Sequence, residues 1–148
     1  MKRLIQTSVL AIVCLVAFHV AAVAGNDKPI SVAQLPVAAQ QVIKKYFGSN
    51  KVALAKMDTE FLGKTYDVIF TNGEKLEFNR KGEWTEIDCK GSAVPRNLVP
   101  AKIASYVRSN YPGTRIVKIE KDDGNYDVKL SSGIEVTFNK KFQVTDID

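Results

Sequence analysis

Few residues of this chain could carry out nucleophilic or metal-dependent catalysis. The only histidine, His19, and one of the two cysteines, Cys14, lie in an apolar N-terminal segment. Without that segment the chain has no imidazole and a single thiol, Cys89. This removes Ser-His-Asp and Cys-His catalysis, His- or Cys-rich zinc sites and any internal disulfide. We expect Cys89 to be a half-buried small residue, with a reactive or intermolecular thiol as the alternative.

The acidic residues are the remaining candidates for chemistry. Carboxylates in two i, i+2 pairs could do acid–base work, yet each pair lies beside a chain end or a link: Glu86/Asp88 and Asp146/Asp148. The segment Asp122-Asp123-Gly124-Asn125 lacks the carboxylate spacing and the distal glutamate of an EF-hand, so calcium is not predicted there. We therefore predict a protein that is not an enzyme and that has no catalytic residues, cofactor or metal site.

Residues 1–24 have the pattern of a secretory signal peptide. Lys2 and Arg3 precede a mostly apolar run from Leu4 to Val23, and the small-x-small site Ala22-Val23-Ala24 stands before Gly25. A retained anchor is the alternative, because the run approaches the roughly 20 apolar residues that span a bilayer. The cleavage site and the lack of a positive flank favour cleavage. We predict a periplasmic or secreted protein with no stable membrane insertion after cleavage.

Net charge and chain length limit the remaining classes of function and the number of domains. The chain has 21 basic and 16 acidic residues, and two of the basic ones lie in the first 24, so the remainder has a net charge of +3. Nucleic-acid binding is not predicted, because it needs a concentrated basic stripe. The 124 residues that follow the predicted signal peptide can form one core that buries about two-thirds of the surface of the chain.

An internal repeat is the most informative feature of the sequence. The second copy follows the first at an offset of 60, and upstream of the first Tyr-Asp-Val motif at an offset of 64. The change of offset corresponds to a four-residue insertion, Glu60-Phe61-Leu62-Gly63. The matches are Tyr66-Asp67-Val68 with Tyr126-Asp127-Val128, Phe78-Asn79-Arg80-Lys81 with Phe138-Asn139-Lys140-Lys141, and Pro36 with Pro100. We predict a flexible lead-in over residues 25–34, then repeat 1 (35–90) and repeat 2 (91–148) in one domain.

Each copy is predicted to contain one amphipathic helix followed by four strands. Apolar residues at three- and four-residue steps follow Pro36 and Pro100 as first helical residues, and Gly48 and Gly113 mark the ends. Alternation at Tyr-Asp-Val and turns at Asn-Gly and Ser-Gly indicate antiparallel hairpins. The predicted strands are 51–58, 64–71, 74–79, 83–88, 115–122, 125–131, 134–139 and 142–147. The result is an α+β fold, an antiparallel sheet with both helices on one face and the other face wet or covered by a partner.

The chain from Leu35 to Asp148 resembles the PepSY-like family of β-lactamase-inhibitor-like secreted bacterial proteins. The resemblance rests on the proline-started helix and on "IEKDDGNYDVKLSSGIEVTFNKKFQVTDID", with its aromatic-Asp-Val strand and "FNK" hairpin. It implies a tandem-repeat sheet backed by helices, similar to the β-lactamase inhibitor protein, which grips its enzyme with a concave sheet face and a projecting loop. This chain departs from that inhibitor by having no disulfide and no matching inhibitory loop.

The outward positions of the strands and the insertion are the predicted partner-binding surface. Trp84 has a small counterpart, Val144, so it is either a core filler or an exposed anchor. Phe61 and Leu62 are expected to pack, with partner binding as the alternative. An ordinary solvated sheet would also pair its charges across strands. The predicted binding residues are Trp84, Phe61, Leu62, Asp67, Lys75, Glu77, Lys129 and Glu135.

We therefore predict an exported, non-enzymatic binding module whose open sheet face holds a protein or a cell-envelope component. Family analogy makes an inhibitor or regulator of an envelope hydrolase the specific version. The alternative is a periplasmic sensor of a small ligand or envelope polymer with a cleft between the repeats. A carboxylate-dependent hydrolase is the weakest of the three hypotheses, since it needs a buried acid with a raised pKa.

Overall fold

The computed structural model describes residues 26–61 and 63–148, so the predicted signal peptide and Leu62 lie outside the described residues. This part of the chain forms one antiparallel sheet and two α-helices, which confirms the predicted α+β class. The strands are β1 (Lys28–Ile30), β2 (Val52–Glu60), β3 (Gly63–Phe70), β4 (Lys75–Phe78), β5 (Trp84–Asp88), β6 (Ile116–Asp122), β7 (Asn125–Leu130), β8 (Glu135–Phe138) and β9 (Val144–Ile147). The helices are α1 (Val37–Tyr46) and α2 (Ala101–Asn110), each preceded by a short 3₁₀ helix, Val32–Gln34 and Arg96–Leu98.

The sheet is open, and its strand order follows the chain order from β1 to β9. Every neighbouring pair is antiparallel. Tight hairpins join most strands, while α1 lies between β1 and β2 and α2 between β5 and β6. The predicted eight strands are all present, with ends that differ by up to two residues.

The strand β1 corrects a prediction, because the sequence predicts a flexible lead-in over residues 25–34. Residues of β1 pair antiparallel with β2, Lys28 opposite Met57 and Ile30 opposite Ala55. Pro29 has no N–H to donate and is tolerated because β1 is an edge strand. Three residues are too few to show an alternating pattern, so the sheet has nine strands where eight are predicted.

Both helices begin immediately after a proline. Pro36 and Pro100 are the N-cap residues, with φ of −53° and −54°, rather than the first helical residues as predicted. The buried helix positions belong to the predicted apolar stripes: Ala39 and Ile43 in α1, Ile103 and Val107 in α2. These stripes place both helices on the same face of the sheet.

One continuous core lies between the helices and that face. Phe47 stacks on Phe70 with ring centroids 5.6 Å apart, and Tyr106 meets Phe138 edge-on at 5.4 Å. Alternate strand residues complete the core, including Val68, Leu76, Phe78, Ile87, Ile119, Val128, Leu130 and Val136. Since the residues between them must point the other way, the opposite face of the sheet carries mostly polar side chains, with the Leu54–Ile69 pair as an apolar exception.

Strand pairings in the two halves of the sheet coincide. Tyr66 lies opposite Phe78 between β3 and β4, as Tyr126 lies opposite Phe138 between β7 and β8. Tyr66 and Tyr126 are half-buried at the edge of the core. The β2–β3 hairpin is the longer of the two corresponding hairpins, and its turn contains Phe61.

Candidate functional site

The face of the sheet opposite the helices, here called the open face, carries a line of carboxylates. From β3 to β9, each strand places one residue of this line directly opposite one residue of the next strand, and neighbouring strands are about 4.8 Å apart. In six of these seven strands the residue is acidic. Thr137 occupies the position on β8. The carboxylates of this acidic row are Asp67, Glu77, Glu86, Glu120, Asp127 and Asp146.

Lysines at one end of the row hold the carboxylates together. Lys75 Nζ lies 3.7 Å from Asp67 Oδ1, 3.8 Å from Glu77 Oε2 and 3.9 Å from Glu86 Oε1. Lys56 bridges Asp67, at 3.2 Å, and Asp27 before β1. The hydrogen bond to Asp27 is the main cause of the raised pKa of Lys56. These contacts tie β1, β2, β3, β4 and β5 together across the open face.

Fewer basic groups neutralise the carboxylates at the other end of the row. Lys118 Nζ lies 3.7 Å from Glu120 Oε2, with both side chains a third or more exposed. Asp127 accepts a hydrogen bond of 2.6 Å from the Thr137 hydroxyl instead of an ion pair. In the described part of the chain, neither Asp127 nor Asp146 has a basic group within 4.0 Å. Negative charge is therefore least compensated over β7 and β9.

Five of the predicted binding residues lie on the open face. They are mutually paired rather than free: Lys129 Nζ lies 3.0 Å from Glu135 Oε1, and both side chains are about half exposed. Such pairing is also what an ordinary solvated sheet shows, so it does not assign a role to any one of them. The five are Asp67, Lys75, Glu77, Lys129 and Glu135.

Trp84 does not lie on the open face, which corrects its predicted outward position. A β-bulge between Glu77 and Phe78 leaves two residues of β5 opposite one of β4. Trp84 therefore pairs with Phe78 and packs on the core side, half-buried. The extra residue, Thr85, turns to the open face, where its hydroxyl donates a 2.9 Å hydrogen bond to Glu77. Of the two alternatives, the core filler is the observed one.

Phe61 is at the turn of the β2–β3 hairpin and is fully exposed, at 102%. The expectation that it packs is therefore wrong. Its neighbour Leu62, predicted together with it, lies outside the described residues. A fully exposed phenylalanine at this turn buries no apolar surface in the core.

Cys89 and Glu74 form a buried pair of ionisable groups on the helix side of the sheet. Cys89 is 2% exposed, and burial, reinforced by the negative charges of Glu74 and Asp88, raises its pKa to about 12. Glu74 is 7% exposed and accepts a hydrogen bond from the Asn50 side chain. Glu74 is not among the residues predicted from the sequence, although its replacement by Ile134 at the offset of 60 is a visible break in the repeat.

Metal-ligand and membrane-spanning features are absent from the two described ranges. No three or more His, Cys, Asp or Glu side chains converge there closely enough to hold a metal ion. None of the described helices has the length and apolar character needed to cross a membrane.

The chain matches the model of one protein family. The family model described as "Putative beta-lactamase-inhibitor-like, PepSY-like" matches residues 64–146. The match begins in β3 and ends in β9, so it includes all six carboxylates of the acidic row. No curated protein matches the chain.

Crystal structures of three similar proteins come from Bacteroides. A "putative periplasmic protein" of Bacteroides vulgatus is 57% identical, with a TM-score of 0.82, over 84% of this chain and 98% of that chain. A "putative calcium-regulated periplasmic protein" of Bacteroides thetaiotaomicron is 54% identical, with a TM-score of 0.79, over 82% and 96%. A third, from Bacteroides vulgatus and of unknown function, is 40% identical, with a TM-score of 0.77, over 82% and 98%.

These relatives agree with the location predicted from the sequence. All three are periplasmic proteins, which confirms the predicted periplasmic or secreted location. Neither the family nor the relatives indicate an enzymatic family.

Proposed function

Because the chain belongs to the PepSY-like, β-lactamase-inhibitor-like family, we propose that it is an exported, non-enzymatic module that binds a protein or envelope component on its open face. The acidic row is the observation that carries this proposal. An ordinary solvated sheet places opposite charges across from each other, because like charges directly opposite are destabilising. Here Glu77, Glu86, Glu120 and Asp127 follow one another directly across four strands.

The charge of the open face defines the class of partner. The acidic row and the row beside it, together with Lys56 of β2, hold eight strand carboxylates and four lysines, although the chain without the proposed signal peptide is basic, with a formal charge of +3. A negative face on a basic protein complements a cationic surface and would steer it toward this side of the molecule. The partner is therefore a protein or envelope component with a patch of lysine or arginine.

Phe61 supplies an apolar contact that the acidic row lacks. Charge complementarity alone gives rate and specificity more than affinity, whereas buried aromatic anchors carry much of the binding energy. The β2–β3 hairpin continues the sheet beyond the row and ends in the exposed Phe61 ring. A sheet face with a projecting hairpin is also the arrangement that the family resemblance implies for an inhibitor or regulator of an envelope hydrolase.

Two further parts of the proposal concern the chain itself. Residues 1–24 are proposed to be a cleaved signal peptide, which the periplasmic location of the relatives supports. The two halves of the sheet are proposed to be tandem copies, residues 35–90 and 91–148, which the matching strand pairings support. The sensor alternative has less support, because a cavity of about 400 Å³ beside α2 is lined by residues 93–116, within the second copy, rather than by both copies.

A capture experiment with matched variants tests the proposal. Protein expressed from the full-length sequence is immobilised and exposed to envelope extract at low and at high salt. We expect a partner that is retained by the native protein, weakened by Glu86→Gln with Glu120→Gln, and released by salt because exposed charges are screened. The control is Glu83→Gln with Asp123→Asn, which removes the same charge in two hairpin turns away from the row.

Two outcomes would contradict the proposal. Equal loss of the partner in the row variant and in the control would mean that net charge, not the row, governs retention. Retention of every partner by the row variant at low salt would mean that binding takes place elsewhere on the molecule. Any captured hydrolase is then assayed with and without the protein, which separates a regulator from a simple binding module.

A further inference from the structure

A cleft of about 400 Å³ lies on the helix side of the sheet, between α2, the segment before it and the start of β6. Its volume is within the range of small-molecule sites. Val94, Val99 and Val107 are buried in its floor. Its apolar lining includes Val94, Val99, Ala104, Val107, Tyr111 and Ile116.

Three arginines surround this apolar cleft, and no acidic residue lines it. They come from three separate segments: Arg96 from the 3₁₀ helix, Arg108 from α2 and Arg115 from the residue before β6. None of the three has a carboxylate within 4.0 Å among the ion pairs of the described residues. Their observed hydrogen bonds are weak, at 3.3 Å from Arg108 to Ser105 and 3.3 Å from Arg115 to the Gly91 carbonyl.

One of the arginines has an explanation that needs no ligand. Arg108 is in the last turn of α2, where a positive charge interacts favourably with the helix C-terminus. Arg96 and Arg115 are outside α2, so this explanation does not extend to them. On the open face, by contrast, lysines such as Lys75 and Lys118 are paired with carboxylates. The three arginines of the cleft therefore differ from the lysines of the open face, which have carboxylate partners.

We propose that this cleft binds a small amphipathic carboxylate, with its apolar chain against the valine floor and its carboxylate held by Arg96 and Arg115. The planar guanidinium group suits a carboxylate because it can donate two parallel hydrogen bonds. The apolar lining excludes a purely polar anion as the best ligand. The site is independent of the proposed binding at the open face, because none of its lining residues belongs to that face.

Calorimetry with decanoate, and with decanol as its uncharged counterpart, tests this site. We expect saturable one-to-one binding of decanoate and binding of decanol that is at least tenfold weaker. Arg96→Ala with Arg115→Ala should weaken decanoate binding by about tenfold per guanidinium, because hydrogen bonds between charged groups contribute strongly. The matched control, Arg80→Ala with Lys81→Ala, removes two positive charges from the β4–β5 turn and should leave the affinity unchanged.

A spectrum of the native protein locates the ligand without relying on a variant. Addition of decanoate should shift backbone amide resonances within residues 93–116 and leave those of the open face unchanged. Ala104→Trp, which fills the cleft, should abolish these shifts. The inference is overturned by absence of saturable binding, by equal affinities for decanoate and decanol, or by shifts that lie mainly outside residues 93–116.

Discussion

Burial decides the chemistry of the one thiol that follows the apolar N-terminal segment. Cys89 is inside the core, and the carboxylates of Glu74 and Asp88 add negative charge near it. Both effects disfavour the thiolate, which is the form that reacts with electrophiles and disulfides. Of the two alternatives raised by the sequence, the inert residue fits this environment and the reactive thiol does not.

We predict that native Cys89 reacts very slowly with iodoacetamide at pH 8 and at the ordinary rate of a free thiol in denaturant. The raised pKa also affects stability. The pKa rises from 9.0 in the unfolded chain to about 12 in the folded protein, so the unfolded state loses its proton first. Stability from this residue is complete below pH 9 and declines between pH 9 and pH 12.

Urea unfolding across that alkaline range measures the decline, with Cys89→Ala as the control that should lack this part of it. Rapid labelling of the native protein at pH 8 would contradict the account of Cys89. So would identical pH dependence of the two proteins between pH 9 and pH 12.

At the scale of the element, one-residue bulges decide which side chains reach the open face. Strict alternation back from the buried Ile87 would point Trp84 outward. The bulge in β5 inserts Thr85 and turns Trp84 to the core side, and β9 repeats this at Thr145. Since a shift of one residue moves a side chain to the opposite face, the residue pattern alone could not place Trp84.

We predict that Trp84→Ala lowers the free energy of unfolding by about 2–3 kcal/mol, less than for a fully buried ring because Trp84 is half-buried. Partner capture by the folded variant should be unchanged. For the matched control, Phe61→Ala, we expect the opposite effects on stability and on capture. It should change stability by less than about 0.5 kcal/mol, because the ring is fully exposed, and should weaken capture. Urea unfolding measures the stability of both variants, and the capture experiment measures their partner binding. A Trp84→Ala variant that keeps its stability but loses the partner would contradict the core-side position of Trp84.

The contact between α1 and the β4–β5 turn depends on a glycine. Gly82 has φ of +82°, and a Cβ there would lie 2.8 Å from Pro36 Cβ and 2.9 Å from the Ala39 nitrogen. Gly73 has a similar φ of +87° but has nothing within 4 Å of a built Cβ. The two positions therefore separate backbone strain from a steric clash with the helix.

We predict that Gly73→Ala costs about 1–2 kcal/mol, which is the strain of the left-handed conformation alone. Gly82→Ala should cost at least twice as much, because α1 must also move away from the turn. Urea unfolding of the two variants measures the difference. Equal losses would show that the approach of α1 to the turn does not need the missing side chain.

At the scale of the whole molecule, the sequence predicts the layers better than the surface. Helical and alternating periodicities persist over many residues, and so both helices and eight strands follow from them. The acidic row depends on register across seven strands. Glu86, Glu120 and Asp146 are far apart in the chain, and nothing local marks them as neighbours. The buried Glu74 and the cleft beside α2 likewise depend on packing between distant segments.

The whole molecule is proposed to hold its partner on the open face. Site-specific photo-crosslinking in living cells tests this claim most directly. A benzoylphenylalanine is introduced at Thr137, the one uncharged position of the acidic row, or at Gln41, an exposed position of α1. We predict a discrete crosslinked adduct from position 137 and none from position 41. An adduct from position 41 with none from position 137 would place the partner on the helix side and contradict the claim.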